Sequence, residues 1–364
     1  MNTNQKKAIF SIVDTKRDFN YDYEENTNSK GYVAWGKDNA YPQHIEYLAK
    51  NSATVKAIAD GIVRYICGNG VMVPDTLAKW NEKVNRRGDT LEDIIEQVSW
   101  DYVLLGGFSI QVVYNHLGAV AEIYALSLSR TRSNVYNDKI YYAKKWGSYT
   151  AKYEEYDAFN REKIDPNKLT QIYFFKGASR RVYPIASWEG AFRDAETEIE
   201  AAKLQLNDMK NGLSAKVIIT LPNESGTLTE DEKKAVEDAI QNKFCGSEAT
   251  SSFFLTWHEE GVGDVKVDVI KQEDDSNKFI NYKKSARENI FVAFKCTPEL
   301  MGLPRENQGF DTSQVMDEFN LFQETVVSGY QRRICKALNQ IFGVSQAEGI
   351  QIKPFNLQKL EEEE

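Results

Sequence analysis

The amino-acid sequence predicts an α+β protein in which a mixed domain of helices and strands is followed by long helices and a small β-rich module. Three observations support this prediction. Helical and strand periodicities alternate between residues 31 and 185, two amphipathic helices then flank a group of short strands, and a very long helix comes near the end. At ~1.5 Å per residue, about thirty residues span roughly 45 Å, which is longer than most helices of compact domains.

The first 185 residues start with a polar segment. Residues 1–30 have no clear period, which is typical of an N-terminal arm, and Tyr32 to Pro42 predicts turns. Apolar spacing then predicts one helix from Ile45 to Tyr65 that ends at Gly68-Asn69-Gly70. This triplet lacks the full G-x-G-x-x-G pattern of a phosphate-binding loop, so a glycine helix cap is the favoured interpretation.

A second helix is predicted from Thr90 to Leu105, where Gly106-Gly107 ends it. Alternating apolar residues after it indicate half-buried strands, with a hairpin turn at Asn137-Asp138. The predicted strands are Phe108 to Val112, Val120 to Leu126, Ser133 to Tyr136, Ile140 to Lys145 and Leu169 to Phe175.

A strict heptad spacing follows, with Ser187 placed to cap the helix and Gly212 to end it. Its apolar positions are Trp188, Phe192, Ala195, Ile199, Ala202, Leu206 and Met209. The pattern is compatible with an ordinary core helix, and the 3.5-residue period also suits a helix docked against a near-parallel partner. The candidate partner is the helix that contains Phe279.

A compact β-α-β-β module is predicted between these two helices. Its elements are a strand at Lys216 to Leu221, a helix from Thr229 to Phe244, and strands at Phe253 to Trp257 and Val265 to Val269.

The second helix of the pair has Phe279, Tyr282, Ala286, Ile290 and Ala293 on one face. A break at Thr297-Pro298 ends it, because the residue before a proline is pushed out of the helical region. A polar loop with two glycines, Gly302 to Thr312, comes next. Thr312 or Ser313 is then placed to cap the long helix, which Gly343 ends and whose stripe is Val315, Phe319, Phe322, Val326, Tyr330, Ile334, Leu338 and Ile341.

The segment from Ile290 to Gly302, IFVAFKCTPELMG, resembles the C-terminal half of tailed-phage portal proteins. The family pattern there is a helix carrying I…AF.(V/T)P..(L/M)G, a loop, and a helix finishing in R…(A)LN. In this chain the last helix reads RRICKALN and reaches Asn339. The segment with Trp35 and Tyr41-Pro42 is also similar to the family, so the resemblance covers roughly residues 31 to 343.

The resemblance implies a portal-like fold with a mixed wing domain, paired stem helices, a β-α-β-β clip, a tunnel loop and a long wing helix. Because portal chains commonly continue into a helical crown, the short final segment predicts that the crown is small or missing. The implied organisation is an N-terminal arm (1–30), wing (31–185), stem helix (186–212), clip (213–272), second stem helix (273–297), tunnel loop (298–312), long wing helix (313–343) and a short tail or reduced crown (344–364).

The resemblance also implies a function. Portal chains form a ring, usually of twelve subunits, at one capsid vertex of the virion, through which double-stranded DNA passes non-specifically during packaging and ejection. The implied partners are other copies of the chain, the terminase large subunit, a head-completion or adaptor protein, and the major capsid and scaffold proteins. Arg305 is expected nearest the phosphates, with Glu306 and Asp311 limiting adhesion. The residues implied to face DNA in the tunnel loop are Leu303, Pro304, Arg305, Glu306, Asn307, Gln308 and Phe310.

Composition is compatible with such a conduit. The chain has 45 lysine and arginine residues against 54 aspartate and glutamate residues, for a net charge of −9. An acidic balance disfavours tight DNA binding, whereas sliding DNA requires few phosphate contacts. The four cysteines lie far apart and predict neither a zinc site nor a disulfide framework, which fits synthesis in the reducing cytoplasm of a host bacterium. The sequence predicts no membrane span and no signal peptide.

Catalytic motifs are not predicted. The sequence contains no P-loop, H-E-x-x-H or nucleophile elbow, and we expect no enzymatic activity, cofactor or metal. His258-Glu259-Glu260 beside Asp264 is interpreted as a solvated turn, and Asp274-Asp275 as a helix start. The alternatives to a portal protein are a non-enzymatic interaction protein and, less favoured, a DNA-processing enzyme. Ring formation separates these possibilities.

Overall fold

The structure is a computed structural model, and it describes residues 25–27, 31–146, 152–211, 216–221, 234–235, 253–257, 265–270, 275–303 and 312–355. The mixed helix and strand fold predicted from the sequence is confirmed. The helices in the first part of the chain are α1 (Tyr41–Asn51), α2 (Ala53–Cys67), α3 (Lys79–Glu82) and α4 (Leu91–Leu105). Strands β1 (Glu25–Thr27), β2 (Val33–Trp35) and β3 (Val71–Met72) are short.

The main sheet of the described residues has six strands in the order β5-β4-β9-β8-β7-β6. They are β4 (Phe108–Tyr114), β5 (Val120–Leu126), β6 (Thr131–Ser133), β7 (Lys139–Tyr142), β8 (Glu154–Ala158) and β9 (Thr170–Phe175). All neighbours are antiparallel except β8 and β9, which run parallel. The α4 helix leads directly into β4 through Gly106, whose φ of 80° is the left-handed conformation of a helix end. A methyl group there would lie 2.1 Å from the Ile185 carbonyl oxygen.

The helices and the sheet share one apolar core, and aromatic rings join its parts. The Trp35 ring stacks on Tyr183 at 4.5 Å, and both side chains are fully buried. Arg132 is also fully buried, and it donates to carbonyl oxygens of Asn39, Ser129 and Thr131. A buried guanidinium is tolerated only where its N–H groups find acceptors, which these carbonyls supply.

The predicted single helix from Ile45 to Tyr65 is wrong, because the chain breaks at Ser52. This residue is extended, with ψ of 119°, and its hydroxyl accepts a hydrogen bond from the Val55 N–H at 3.1 Å. Serine competes for backbone donors and therefore starts helices well. The predicted helix from Thr90 is confirmed, with a capping box between Thr90 and Asp93.

Three predictions in residues 31–185, called the large domain from here on, need correction. The segment predicted as turns contains strand β2, which pairs with β1 inside the predicted arm. The strand predicted at Ser133 to Tyr136 lies earlier, at β6, because Asn134 and Asn137 form the turn and Asn137 adopts a φ of 55°. Strand β7 ends at Tyr142, short of the predicted Lys145. The parallel strand β8 was not predicted.

The two long helices are α5 (Phe192–Asn211) and α6 (Asp275–Phe294). The predicted start of α5 at Ser187 is wrong, because a 3-10 turn at Glu189–Ala191 precedes the α-helix. The α6 helix ends three residues before the predicted Thr297, because Lys295 adopts a φ of 56°. The heptad seam of α5 is buried through Ile199, whereas Ala202 and Leu206 are exposed, and Tyr282 of α6 is exposed too.

Between the two helices, a three-stranded sheet has the order β11-β10-β12. Strand β10 (Lys216–Leu221) runs parallel to β11 (Phe253–Trp257) and antiparallel to β12 (Lys266–Ile270). All three predicted strands are confirmed, the last one residue later than expected. The predicted helix from Thr229 to Phe244 is helical at residues 234–235 and otherwise lies outside the described residues.

The long helix is confirmed and contains a local irregularity. It runs as α7 (Thr312–Phe322), a π-helical segment at Gln323–Val327, and α8 (Ser328–Phe342), and Gly343 ends it with a φ of 71°. The following chain returns to the large domain, where β13 (Gln351–Ile352) pairs with β3 and Ile350 is fully buried. The sequence did not predict this return.

Candidate functional site: the helix pair and its junction

Trp188 fixes the base of the helix pair on the large domain. Its indole Nε1 donates to the Leu104 carbonyl oxygen at 3.0 Å, and its ring stacks on Phe294 at 5.2 Å. Phe192 meets the same ring edge-on at 4.6 Å. One buried tryptophan therefore contacts the end of α4, the start of α5 and the end of α6.

Two polar contacts show that α5 and α6 run antiparallel. The Asn289 Nδ2 donates to the Asp194 Oδ1 at 2.9 Å, and the Lys283 Nζ donates to the Gln205 Oε1 at 2.6 Å. From Asp194 to Gln205 the residue numbers rise along α5, whereas those of their partners fall from Asn289 to Lys283 along α6. The predicted pairing of the heptad helix with the helix of Phe279 is therefore what the structure has.

Glu198 ties α5 to the start of α2. Its carboxylate accepts hydrogen bonds from the Ser52 hydroxyl and from the Thr54 hydroxyl, the latter at 2.8 Å. The Thr54 N–H lies 3.4 Å from both carboxylate oxygens. A negative charge is favourable at a helix N-terminus, where backbone N–H groups have no partner within the helix. This contact makes the break at Ser52 part of the attachment of the helix pair.

The junction after α6 is a tight turn. Lys295 is left-handed, the buried Cys296 follows, and Pro298–Met301 forms a 3-10 turn. The Thr297 hydroxyl donates to the Glu318 Oε2 at 2.9 Å, which links the turn to α7. Burial raises the pKa of the Cys296 thiol to about 12, so this cysteine is an unreactive packing residue.

Helix α2 packs against this junction and is hydrogen-bonded to it. The Tyr65 hydroxyl donates to the Leu300 carbonyl oxygen at 2.8 Å. Gly61 leaves room for Met301, whose Sδ lies 2.3 Å from the position that a Cβ at residue 61 would occupy. The start of the following loop is therefore fixed to the large domain by a hydrogen bond and by close packing.

Leu303 is the candidate loop residue that the structure describes. Its N–H donates to the Pro298 carbonyl oxygen at 3.0 Å, and its side chain is 39% exposed. Gly302, with a φ of 77°, turns the chain away from the junction. The other candidates lie outside the described residues, and their facing toward DNA stays a prediction: Pro304, Arg305, Glu306, Asn307, Gln308 and Phe310.

Helix α8, which lies beyond the loop in the chain, is also attached to α2. The Gln331 Nε2 of α8 donates to the Ile66 carbonyl oxygen at 2.9 Å. In the π-helical segment the Thr325 hydroxyl bonds to the Leu321 carbonyl oxygen at 2.6 Å, a contact that weakens regular α-helical bonding. Helix α7, which follows the loop directly, is thus separated from the anchored α8 by an irregular turn.

A cavity of about 560 Å³ lies in the large domain between α1, α2, α4 and β5. Asp101 borders it, and its Oδ2 accepts a hydrogen bond from the Leu128 N–H at 2.7 Å. Burial, assisted by the nearby Glu46 charge, raises the pKa of Asp101 to about 7. The other charged groups that line the cavity are Asp60, Arg64 and Glu96.

Sequence reasoning missed Glu198, Tyr65 and Gln331. Glu198 and Gln331 are polar residues on amphipathic helices, where a solvated position is the ordinary expectation. Tyr65 was expected on the apolar face of its helix, but its hydrogen bond to Leu300 was not. Trp188 was placed in the seam, but no local pattern indicates its bond to Leu104. The only available signal is that a buried indole N–H needs an acceptor.

In the described ranges, no helix is long and apolar enough to cross a membrane. Among the same residues, no group of three or more histidine, cysteine, aspartate or glutamate side chains is arranged to hold a metal ion. The His258 cluster and Asp274 lie outside the described residues.

Comparison with known sequences gives one curated relative. An uncharacterised protein of Rickettsia bellii (strain RML369-C) is 23% identical over 209 residues, which are 57% of this chain and 50% of that protein. The chain therefore spans about half the length of the curated relative it matches.

Comparison with solved structures supports the fold. A chain from the neck of an empty gene transfer agent (GTA) particle, computed with C6 symmetry, has a TM-score of 0.58 and 13% identity, with 91% of this chain and 87% of that chain covered. A chain from the neck of the native particle, computed with C12 symmetry, has a TM-score of 0.55 and 14% identity, with coverages of 88% and 86%. An HK97-family phage portal protein from Corynebacterium diphtheriae has a TM-score of 0.52 and 12% identity, with coverages of 85% and 95%.

A sequence model of a whole family decides the assignment. The model described as phage portal protein matches residues 74–363, which include α4, the main sheet, the helix pair, the junction and the long helix. This match covers most of the chain and agrees with the resemblance carried by residues 290–302. The chain belongs to the phage portal protein family.

Proposed function

We propose that this chain forms a ring at one vertex of a phage-like capsid, and that double-stranded DNA enters and leaves through the central channel. The observation that carries the proposal is the antiparallel helix pair, fixed at Trp188 to the large domain and followed at once by the loop 304–310. This order supports a rigid stem in each subunit, with residues 298–312 proposed as its tunnel loop. The portal family match supports it, and C12 symmetry in a similar neck particle suggests twelve subunits.

We propose a role for each region of the chain, following the organisation predicted above. The large domain is the wing, the helix pair is the stem, the β10-β11-β12 sheet is the clip and residues 298–312 form the tunnel loop. We propose that the clip receives the terminase large subunit and later a head-completion or adaptor protein. The wing contacts the major capsid and scaffold proteins. The chain itself is structural and not catalytic, and its place is the virion, after synthesis in the host bacterial cytoplasm.

The balance of charge supports a conduit over a DNA-binding surface. Each phosphate neutralised by a lysine or arginine adds salt-dependent affinity, which opposes sliding. With a net charge of −9 per chain, a ring of such chains carries a large net negative charge. In the loop, Arg305 is flanked by Glu306, so we propose that contact with the phosphates is weak and transient.

The test is the mass and shape of the purified chain, by native mass spectrometry and negative-stain images at several salt and protein concentrations. We expect a closed ring of about a dozen chains with a central hole. A stable two-fold dimer without a channel contradicts the proposal and leaves a non-enzymatic interaction protein as the better description.

A second test concerns the loop. Changing Arg305→Ala is expected to leave ring formation intact and to alter the amount of DNA packaged per particle, because it removes the charge that we propose lies nearest the phosphates. Asn307→Ala, a neutral change in the same loop, is the matched control. Equal packaging by both variants and the wild type excludes a role for the Arg305 charge in DNA passage.

A further inference from the structure

The cavity in the large domain combines an excess of carboxyl groups with apolar surface. Its volume of about 560 Å³ lies within the range of small-molecule sites, about 300 to 1,000 Å³. The acidic residues that line it are Glu46 of α1, Asp60 of α2, and Glu96 and Asp101 of α4, against one basic residue, Arg64. Val63, Trp100 and Leu126 supply apolar surface in the same cavity.

Three of the four carboxyl groups have unused acceptor oxygens. The Asp60 Oδ1 accepts a hydrogen bond from the Lys56 Nζ at 2.9 Å. Asp101 is largely buried, and its Oδ2 accepts a backbone N–H at 2.7 Å, but its Oδ1 has no hydrogen-bond donor among the described residues. In the same part of the chain, neither Glu46 nor Glu96 forms a side-chain hydrogen bond or ion pair. Carboxylates that are taken out of bulk water without partners favour a bound cation.

The arrangement of the lining favours an organic cation over a metal ion. Among the residues that the structure describes, no group of three or more histidine, cysteine, aspartate or glutamate side chains could hold a metal ion. The carboxyl groups reach the cavity from three different helices, and apolar side chains line it with them. A molecule whose ammonium groups are joined by methylene chains suits both parts. Each ammonium group pairs with a separate carboxylate, and the methylene groups pack on the apolar side chains.

Trp100 already accommodates an ammonium group. The Lys56 Nζ lies 4.1 Å from the centre of the Trp100 ring, which is a cation–π contact, and the same nitrogen bonds to Asp60. This part of the lining therefore suits an alkyl ammonium group that contacts an aromatic ring and a carboxylate together.

Glu46 and Asp101 form the inner end of the site, and Glu96 lies at its mouth. In addition to burial, the charge of Glu46 raises the pKa of Asp101, so these two carboxyl groups lie near each other. Both are partly buried, whereas Glu96 is exposed. We propose that this cavity binds an aliphatic polyamine, one ammonium group of which pairs with Glu46 and Asp101 and another with Glu96. All these residues belong to one chain, so the proposal is independent of ring formation.

Isothermal titration calorimetry of the full chain with spermidine tests the proposal near pH 8, where Asp101 is ionised. We expect saturable binding at one site per chain. Glu46→Gln and Asp101→Asn are each expected to bind about tenfold more weakly, because each change removes one charged partner. Glu82→Gln, at an exposed carboxyl of α3 outside the cavity, is the matched control, since it removes the same charge. We expect it to bind as the wild type does, and unfolding temperatures without spermidine check that all variants are folded.

Two simpler cations test the chemistry of the ligand at equal ionic strength. Butylamine carries a single ammonium group, and Mg²⁺ carries charge without a methylene chain. We expect both to bind at least about tenfold more weakly than spermidine, because neither reaches two separate carboxyl groups along an apolar wall. Equal affinity of the wild type and both cavity variants overturns the site, as does an absence of spermidine binding. Butylamine or Mg²⁺ binding as tightly as spermidine overturns the assignment to a polyamine.

Discussion

Asp101 makes the stability of the large domain depend on pH in an unusual direction. Most carboxylates in folded proteins have lowered pKa values and stabilise the fold as pH rises. Burial beside Glu46 instead raises the pKa of Asp101 from 3.8 to about 7. Between these two values the folded chain holds a proton that the unfolded chain has released. The contribution of Asp101 to the free energy of unfolding therefore falls as pH rises from about 4 to about 7.

The size of the effect follows from the displacement of the pKa. About three pH units correspond to about 4 kcal/mol in the limit of complete burial. The carboxyl borders a cavity of about 560 Å³, where hydration reduces the cost of its charge, and we expect about 2 to 3 kcal/mol. Asp101→Asn is the informative change, because the amide oxygen still accepts the Leu128 N–H bond and carries no charge.

The assay is urea unfolding of the wild type and Asp101→Asn from about pH 4 to pH 8. We expect the smallest difference near pH 4, close to the unfolded pKa of 3.8, and a variant more stable by about 2 to 3 kcal/mol near pH 8. Asp93→Asn, on the same helix, is the control, since its bonds to Thr90 lower the pKa of Asp93 and give the opposite pH dependence. A difference between the Asp101 variant and the wild type that does not change with pH refutes the reasoning.

Three further changes test the contacts that position the helix pair and the long helix. Glu198→Ala removes the acceptor for Ser52 and Thr54, so we expect a loss of about 1 to 3 kcal/mol in urea unfolding, against almost none for the exposed Glu200→Ala. Gly106→Ala combines a φ of 80° with a Cβ at 2.1 Å from a carbonyl oxygen, and we expect a loss above about 3 kcal/mol or no soluble protein. Gly329→Ala, in a helix and with no atom within 4 Å of the new Cβ, is expected to raise the unfolding free energy by about 0.5 to 1 kcal/mol; a destabilised Gly329 variant contradicts the description of α8 as ordinary helix there.

The elements that sequence predicted well depend on local signals. The long helix, its end at Gly343 and the helix that begins at Thr90 follow from residues within a few positions of one another. The heptad spacing of α5 predicted that it docks on α6, because this spacing places the apolar side chains on one helical face. The junction after Ile290 was found as a family resemblance, since its helix, proline and glycine stand in a fixed order.

The features that sequence did not predict depend on distant residues. The helix break at Ser52 is supported by Glu198, which lies 146 positions away from it. Strand β8 pairs in parallel with β9, and the residue pattern of neither strand indicates this pairing. From the sequence alone, the fully buried Arg132 is expected at the surface, because the carbonyl groups that accept its hydrogen bonds are known only from the structure. The candidate site divides in the same way: Leu303 and its turn follow from Pro298 and Gly302, whereas the support from Tyr65 does not.

The helix pair combines two kinds of surface on one heptad repeat, and this combination argues for its role. Near Trp188, aromatic rings and Ile199 bury the seam within the chain, so the base of the pair is rigid before any partner arrives. Farther along α5, the same repeat is exposed at Ala202 and Leu206. A monomer gains nothing from exposing leucine at a position where lysine or glutamate would be soluble. In the proposed ring, by contrast, a stem whose direction is fixed in advance loses less freedom when the chains assemble.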